Sequence, residues 1–395
     1  MIAAASKLFS DFFNSEKAGG FILIGCTIVS ILLANSGIGA SYLHFWHLNI
    51  GYENTILHLK HPIEYWINDG LMTIFFLLVG LEIEREIYIG ELSTIKNASL
   101  PFFAAVGGMI APAFIHFIIN NGTATQSGFG IPMATDIAFA LGILSLLGNK
   151  VPVSLKIFLT AFAIIDDLGA IIIIAIFYTE TFSILYFGIA MGIFVLLLIF
   201  NRLKINNLLF YLLPGIIMWY SMLQSGVHAT VSGVLLAFTI PFGNGDKAAT
   251  SYLLQHWLHK PVAFIILPLF ALANTGISFI TGWHQQLVSK NSIGILAGLI
   301  IGKPVGIMLL SFLAVKLKIS NLAAEINWKH ILGAGILGGI GFTMSIFITL
   351  LAFKDGETIM GSKIAVLFSS VIAGLIGYTF LKITNKETES ASVQP

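Results

Sequence analysis

Apolar residues run along this chain in long blocks separated by short polar connections. The blocks lie at about 18–36, 62–84, 97–119, 130–148, 152–178, 183–200, 205–221, 226–241, 261–281, 292–315, 330–352 and 361–383. At a rise of 1.5 Å per residue, roughly 20 apolar residues cross a bilayer core about 30 Å thick. The pattern predicts an all-α polytopic membrane protein of about twelve transmembrane helices, built as one integral membrane domain over residues 1–395. The first block follows Lys7 and Lys17. It is longer than a signal-peptide core and lacks an A-x-A site, so it reads as a first spanning helix.

Loop charge gives an independent check. With alternating loops, basic residues such as Lys7, Arg85, Lys96, Arg202, Lys260 and Lys329 gather on one side, and the other side holds little beyond Lys60, Lys290 and Lys354. The positive-inside rule then places both termini in the cytoplasm, which requires an even number of spans. Residues 37–61 form the longest external loop, where short alternating runs on either side of Gly51–Asn54 predict a small β-hairpin. Asp246 to Lys260 reads as an interfacial helix leading into the ninth block. The polar tail, 387–395, reads as a disordered cytoplasmic segment.

Two blocks are interrupted. The fourth contains Gly128-Phe-Gly-Ile-Pro132-Met-Ala-Thr135-Asp136, with a proline shortly before a buried aspartate. The eleventh contains Gly333-Ala-Gly-Ile-Leu-Gly338-Gly339-Ile-Gly341-Phe-Thr343-Met-Ser345. Broken backbone at membrane depth is tolerated where protein or a water-filled cavity satisfies it. The glycines alone also fit close helix packing. Two interrupted spans in corresponding halves of a chain point to a transporter site. Spans three to five and ten to twelve are candidate halves, with Gly107-Gly108…Pro112 and Gly302-Lys303-Pro304 as a faint echo of each other.

Composition narrows the class. The chain is 57% hydrophobic and 10% charged, against about 25% charged in soluble domains. A net charge of +1 argues against a nucleic-acid footprint, and the single Cys26 rules out an internal disulfide framework. The partner that composition implies is the lipid bilayer. No residue pattern calls for a cofactor.

Candidate chemistry centres on Asp166 and Asp167, side by side in the fifth block, roughly 21 Å along the helix from its start and so near mid-membrane. Intramembrane carboxylates are costly and mark ion or proton pathways. Asp136 and Lys303 complete the core inventory. One cation cannot neutralise three carboxylates, so at least one aspartate is protonated or holds a cation at any moment. Desolvation favours the neutral carboxyl, which can then exchange its proton for a hard cation. Adjacent helical residues point about 100° apart, so the two aspartates divide the work: Asp167 faces the ion cavity and Asp166 reaches a neighbouring helix, most simply Lys303. A plain buried ion-pair network is the alternative. Helix ends carry about half a charge each, so Asp136 and Lys303 also suit compensation of like ends meeting at two broken spans, and the Thr135 hydroxyl can offer oxygen to the ion. Glu82, Arg85 and Glu86 share one helix face at the end of the second block, either as local ion pairs or as a charged funnel. His228 lies in the eighth block and titrates near neutrality when unperturbed.

These residues match a known family. Phe75-Phe-Leu-Leu-Val-Gly-Leu-Glu82…Arg85-Glu86, Ala134-Thr135-Asp136-Ile-Ala-Phe, Phe162-Ala-Ile-Ile-Asp166-Asp167, Ser225-Gly-Val-His228-Ala-Thr, Leu267-Pro-Leu-Phe-Ala-Leu-Ala-Asn274, Gly302-Lys303-Pro304 and Gly339-Ile-Gly341-Phe-Thr-Met-Ser345 follow in order over nearly the whole chain. It resembles bacterial sodium/proton antiporters of the NhaA type. The resemblance implies twelve spans with crossed, discontinuous fourth and eleventh helices in inverted repeats, and a homodimer joined through the external hairpin. It implies residence in the bacterial inner membrane and electrogenic exchange of cytoplasmic Na+ or Li+ for external H+. By motif position, Asp166, Asp167 and Thr135 are the ion site, Asp136 and Lys303 compensate the helix dipoles, and Glu82, Arg85, Glu86, His228, His256 and His259 belong to the pH response. Gln255 departs from the pattern, where a glutamate is expected.

Two rival readings use the same residues. A sodium-coupled organic-anion symporter of related fold has no need of adjacent buried aspartates. An intramembrane aspartyl protease could pair Asp136 with Asp167, but neither of these aspartates stands in a Gly-x-Gly-Asp motif.

Overall fold

Helices occupy every one of the predicted apolar blocks in a computed structural model that describes residues 2–53, 59–179, 182–243, 245, 248–279, 283–323 and 325–392. Among the described residues eight helices are long and apolar enough to cross a membrane, or up to ten if two bent pairs each count as one span. The chain is thus an all-α polytopic membrane protein. The seventh and eighth blocks form shorter helices, Leu209–Ser225 and Val231–Ala237.

Local chemistry starts and stops these helices. Thr94 caps Ile95–Ile119 by accepting from the Asn97 amide. Ser289 does the same for the helix opening at Lys290, and Asn327 with His330 forms a capping box for Trp328–Gly338. Each such cap satisfies amides that the first helical turn leaves without partners.

The chain divides into two compact units. One comprises Met1–Ile24, Glu91–Ala170 and Phe279–Pro395. Within it the helix Ile95–Ile119 packs backbone to backbone on Lys303–Lys316. A Cβ added at Gly107 or at Gly306 would stand 2.1 Å from the other residue's carbonyl oxygen, so neither position has room for a side chain. Ahead of Lys303, residues Gly298–Gly302 make a π-helical turn. Pro304 brings no amide to the ladder, and the wider turn accommodates it. In the fourth block, Gln126–Met133 is a 3-10 helix, Ala134 and Asp136 are extended, and Ile137–Ser145 is α-helical. In the eleventh, Trp328–Gly338 and Phe342–Ala352 meet at a 46° bend.

The other unit comprises Gly25–Gly90 and Ile171–Ser278. Here Met72–Tyr88 packs closely on Val231–Ala237, where a Cβ at Gly233 would meet the Thr73 carbonyl oxygen at 2.2 Å. The helical run from Thr250 to Asn274 is continuous through a π-helical turn at Val262–Ile266. The interfacial segment expected from Asp246 therefore begins as a helix at Thr250 and runs on into the ninth block; 246 and 247 lie outside the described residues.

Three details differ from the sequence pattern. Gly39–Trp46 is helical inside the expected loop. Asn49–Ile50 pairs antiparallel with His61–Pro62, in register Asn49 with Pro62 and Ile50 with His61. The second strand thus lies beyond the runs flanking Gly51–Asn54, and 54–58 are outside the described residues. The last helix, Gly356–Ser392, continues through most of the segment 387–395 expected to lack structure. Its end, from Lys386, carries lysine and glutamate and no glycine or proline, so nothing local stops the helix; 393–395 are outside the described residues.

Candidate functional site

Where the fourth and eleventh blocks break, they meet. The Asp136 amide donates to the Ile340 carbonyl at 2.7 Å, and the Thr135 hydroxyl donates to the Gly338 carbonyl at 2.9 Å. The Ser345 hydroxyl donates to the Ile131 carbonyl at 2.7 Å. The chain is extended in the fourth block just where it approaches Gly338–Gly341, and a Cβ added at Gly341 would stand 3.2 Å from the Ala134 carbonyl oxygen. Each break thereby satisfies polar groups of the other, as burial in an apolar medium requires.

Charge follows the helix ends. Asp136 Oδ1 accepts from the Phe139 amide at 2.9 Å, capping Ile137–Ser145. Its Oδ2 accepts from the Thr343 amide at 3.1 Å and the Thr343 hydroxyl at 2.5 Å, at the start of Phe342–Ala352. One carboxylate therefore serves two positive helix ends, and its three donors suit the charged form. At the opposite polarity, the Lys303 ammonium donates to the Met133 carbonyl, where the 3-10 helix ends. The same ammonium lies 2.8 Å from Asp166 Oδ2.

Asp166 and Asp167 stand on the Val153–Phe177 helix, and both are buried. The helix is covered on several sides at this level, since Phe162, Ala163, Ile164 and Ala170 are also buried. Thr135 lies beside the Asp166 carboxyl group, and Asp167 is within electrostatic reach of Lys303. The structure therefore brings Thr135, Asp136, Asp166, Asp167 and Lys303 into one buried cluster, all within the first unit.

The remaining expected residues lie in the second unit. Arg85 pairs with Glu86 at 2.9 Å. Glu82 is buried, with His259 Nδ1 at 3.8 Å from its Oε1 and Gln255 beside its carboxyl group. His228 is engaged elsewhere: its Nε2 donates to the Tyr178 carbonyl at 2.8 Å, because a carbonyl can only accept. His256 is exposed and stacks on Tyr252. Glu82, Gln255 and His259 thus form a group, beside which Arg85 and Glu86 pair with each other.

Sequence reasoning assigned no role to Thr343, Ser345 or Ser370. The first two sat within a noticed motif, and an acceptor or donor one turn past a glycine break is a usable signal. Ser370, whose hydroxyl oxygen accepts from the Phe342 amide, carries no such signal; that contact is purely tertiary.

A bundle of apolar helices in which two are broken at one buried cluster of charges is the architecture of an ion-coupled membrane transporter. The model described as Na+/H+ antiporter 1 matches residues 10–381, and the chain belongs to this family of NhaA-type sodium/proton antiporters. The broken-helix rule is drawn in part from that family. A protein of Flavobacterium psychrophilum called Na(+)/H(+) antiporter NhaA is 64% identical over 381 residues, covering 96% of this chain and 97% of its own. Its namesake in Cytophaga hutchinsonii is 60% identical over 382 residues, covering 97% of each chain. That of Dechloromonas aromatica is 57% identical over 380 residues, covering 95% of this chain and 96% of its own.

Proposed function

We propose that this antiporter exchanges Na+ or Li+ for protons at the Asp166–Asp167 pair, with Thr135 adding an oxygen ligand. The observation that carries this reading is the burial of two neighbouring carboxylates beside a single ammonium. Among the described residues Lys303 is the one buried lysine or arginine, against buried Asp136, Asp166 and Asp167. Asp136 is committed to two helix N-termini and Lys303 to a helix C-terminus and Asp166. Charge balance then leaves the pair to hold a proton or a small hard cation, and one excludes the other. Lys303 released from Asp166 when a cation arrives would be a further proton carrier, so that more than one proton enters per sodium expelled and transport is electrogenic.

In the same reading the chain crosses the bacterial inner membrane twelve times with both termini cytoplasmic. The fourth and eleventh helices cross at their breaks, and Asp136 and Lys303 offset the facing dipoles. Glu82, Arg85, Glu86 and His259 set the pH response, with His228 and His256 acting from separate places. The Asn49–Pro62 strand pair joins two copies into a homodimer, and the transported ions are the only small partners required.

The test is Asp167→Asn in proteoliposomes. Sodium-driven proton movement is expected to disappear while yield and elution in detergent stay normal. Exchange near the unsubstituted rate removes Asp167 from the ion site.

A further inference from the structure

The helix Phe342–Ala352 starts in the middle of a buried region, so its first amides need acceptors from outside the helix. Asp136 takes the Thr343 amide. The Phe342 amide goes elsewhere: it donates to the Ser370 hydroxyl oxygen of the last helix at 3.2 Å. Ser370 is 1% exposed, which excludes solvent as an alternative acceptor. Its own proton is committed to the Val366 carbonyl at 2.7 Å, one turn back along its helix. That bond orients the hydroxyl so that its lone pairs face sideways, toward the broken span. Ser369, the residue before it and also buried, donates its hydroxyl to the same Val366 carbonyl at 2.9 Å and, among the described residues, makes no side-chain bond to another helix.

We infer that Ser370 is a positioning residue for cation binding: it fixes the start of Phe342–Ala352, and through Asp136 and Thr135 it sets the ion site. The inference rests on the proposed Asp166–Asp167–Thr135 site. The linkage is short. Thr343 gives both its amide and its hydroxyl to Asp136 Oδ2, so the carboxylate follows any displacement of this helix start. Thr135 is the residue before Asp136, and its proton is held by Gly338 on the other side of the same break. While that proton is on the Gly338 carbonyl, the Thr135 oxygen offers its lone pairs elsewhere, which is what a cation ligand needs. Loss of the Ser370 acceptor leaves the Phe342 amide buried without a partner. The helix start then shifts to find one, and Asp136 and Thr135 shift with it. Ser370 touches no ion. Its effect falls on how well the site fits the cation, not on the carboxylates that exchange the proton.

The experiment compares Ser370→Ala, Ser370→Thr, Ser370→Cys, Ser369→Ala and Asp167→Asn in proteoliposomes, with sodium varied at fixed pH. Ser370→Ala is expected to raise the half-saturating sodium concentration about fivefold, the equivalent of one ordinary hydrogen bond, with the maximal rate within about twofold of the unsubstituted protein. Ser370→Thr keeps the hydroxyl and restores the constant. Ser370→Cys, a weaker acceptor of similar size, falls between and serves if the alanine variant does not fold. Ser369→Ala loses a buried hydroxyl without the cross-helix bond and leaves the constant unchanged. An unchanged sodium constant in both Ser370→Ala and Ser370→Cys, or a drop in maximal rate and thermal stability alone, overturns the inference while Asp167→Asn still abolishes exchange. If Asp167→Asn exchanges normally, the ion-site reading fails and the inference falls with it.

Discussion

Lys303 Nζ lies 2.8 Å from Asp166 Oδ2, and both side chains are completely shielded from solvent. Each partner alone would be an uncompensated charge in a medium that cannot hydrate it. Breaking a buried pair from one side costs about 3–5 kcal/mol, whereas removing both partners costs much less. Asp166→Asn and Lys303→Ala are therefore expected to lose stability and exchange individually. The double variant should be less destabilised than the sum of the singles, by at least about 1 kcal/mol. Thermal unfolding in detergent of all four proteins measures the coupling, and additive effects would show that the contact contributes nothing.

Competition at the aspartate pair fixes a pH signature. Binding a cation to ionisable ligands releases their protons. Wherever protons occupy the site, the apparent sodium constant should rise about tenfold for each unit that pH falls, per competing proton. Two coupled carboxylates give a slope between one and two that belongs to the pair. Transient charge movement in proteoliposomes, recorded between about pH 6 and 9 at limiting and saturating sodium, reads the slope. A flat sodium constant with a changing maximal rate would assign the pH response to a separate group such as Glu82 and His259.

Gly306→Ala places a methyl group where the Gly107 carbonyl oxygen already stands, 2.1 Å from the ideal Cβ, with the Ala111 side chain at 2.6 Å. Backbone cannot swing aside as a flexible side chain does. The variant should lose about 1–3 kcal/mol of stability and much of its exchange, since Lys303 lies one turn away. Gly25→Ala, where a Cβ meets nothing within 4 Å, is the matched control and should behave as the unsubstituted protein in both assays.

Asp355 begins the last helix, outside the apolar span. Its Oδ2 accepts from the Thr358 amide at 2.9 Å and the Thr358 hydroxyl at 2.8 Å. These bonds hold its carboxyl below the usual carboxylate range. The unfolded chain has the ordinary value of about 3.9, so the cap stabilises fully above that pH and fades as pH falls through the lower folded value. Asp355→Ala should therefore melt lower than the unsubstituted protein at neutral pH, with the gap narrowing as pH falls below the ordinary carboxylate value. A gap that does not change with pH would mean that the side chain's charge plays no part.

Much of this architecture can be read from the chain because a bilayer imposes few solutions. Apolar runs of the right length become helices, and a proline or glycine cluster at membrane depth marks a place where a helix can break, although Gly107-Gly108 and Pro112 lie inside an unbroken one. The carboxylates Asp136, Asp166 and Asp167 stand out for the same reason: in a chain with so little charge, a buried one needs an explanation. What could not be read depends on contacts between distant segments. Nothing local shows that the Phe342 amide ends on Ser370, that His228 donates to Tyr178 rather than joining Glu82, or that His256 stays exposed. The position of the second strand at His61–Pro62 was equally hidden, because a pair of two-residue strands has almost no periodicity to detect. The helix through Glu387–Ser392 shows the opposite limit, where polar composition suggested a lack of order that the local helix formers do not enforce.

The reciprocal fit of Gly107 and Gly306 also constrains how this part of the protein can move. Two helices in backbone contact have no cushion of side chains along which to slide. A ratchet of one turn, about 5.4 Å, would drive Ala111 or Leu310, each already close to this crossing, onto a glycine carbonyl. The pair Ile95–Ile119 and Lys303–Lys316 must therefore travel as one body through any transport cycle. Lys303 is carried on that body one turn from the crossing, so any displacement of the pair takes the ammonium with it.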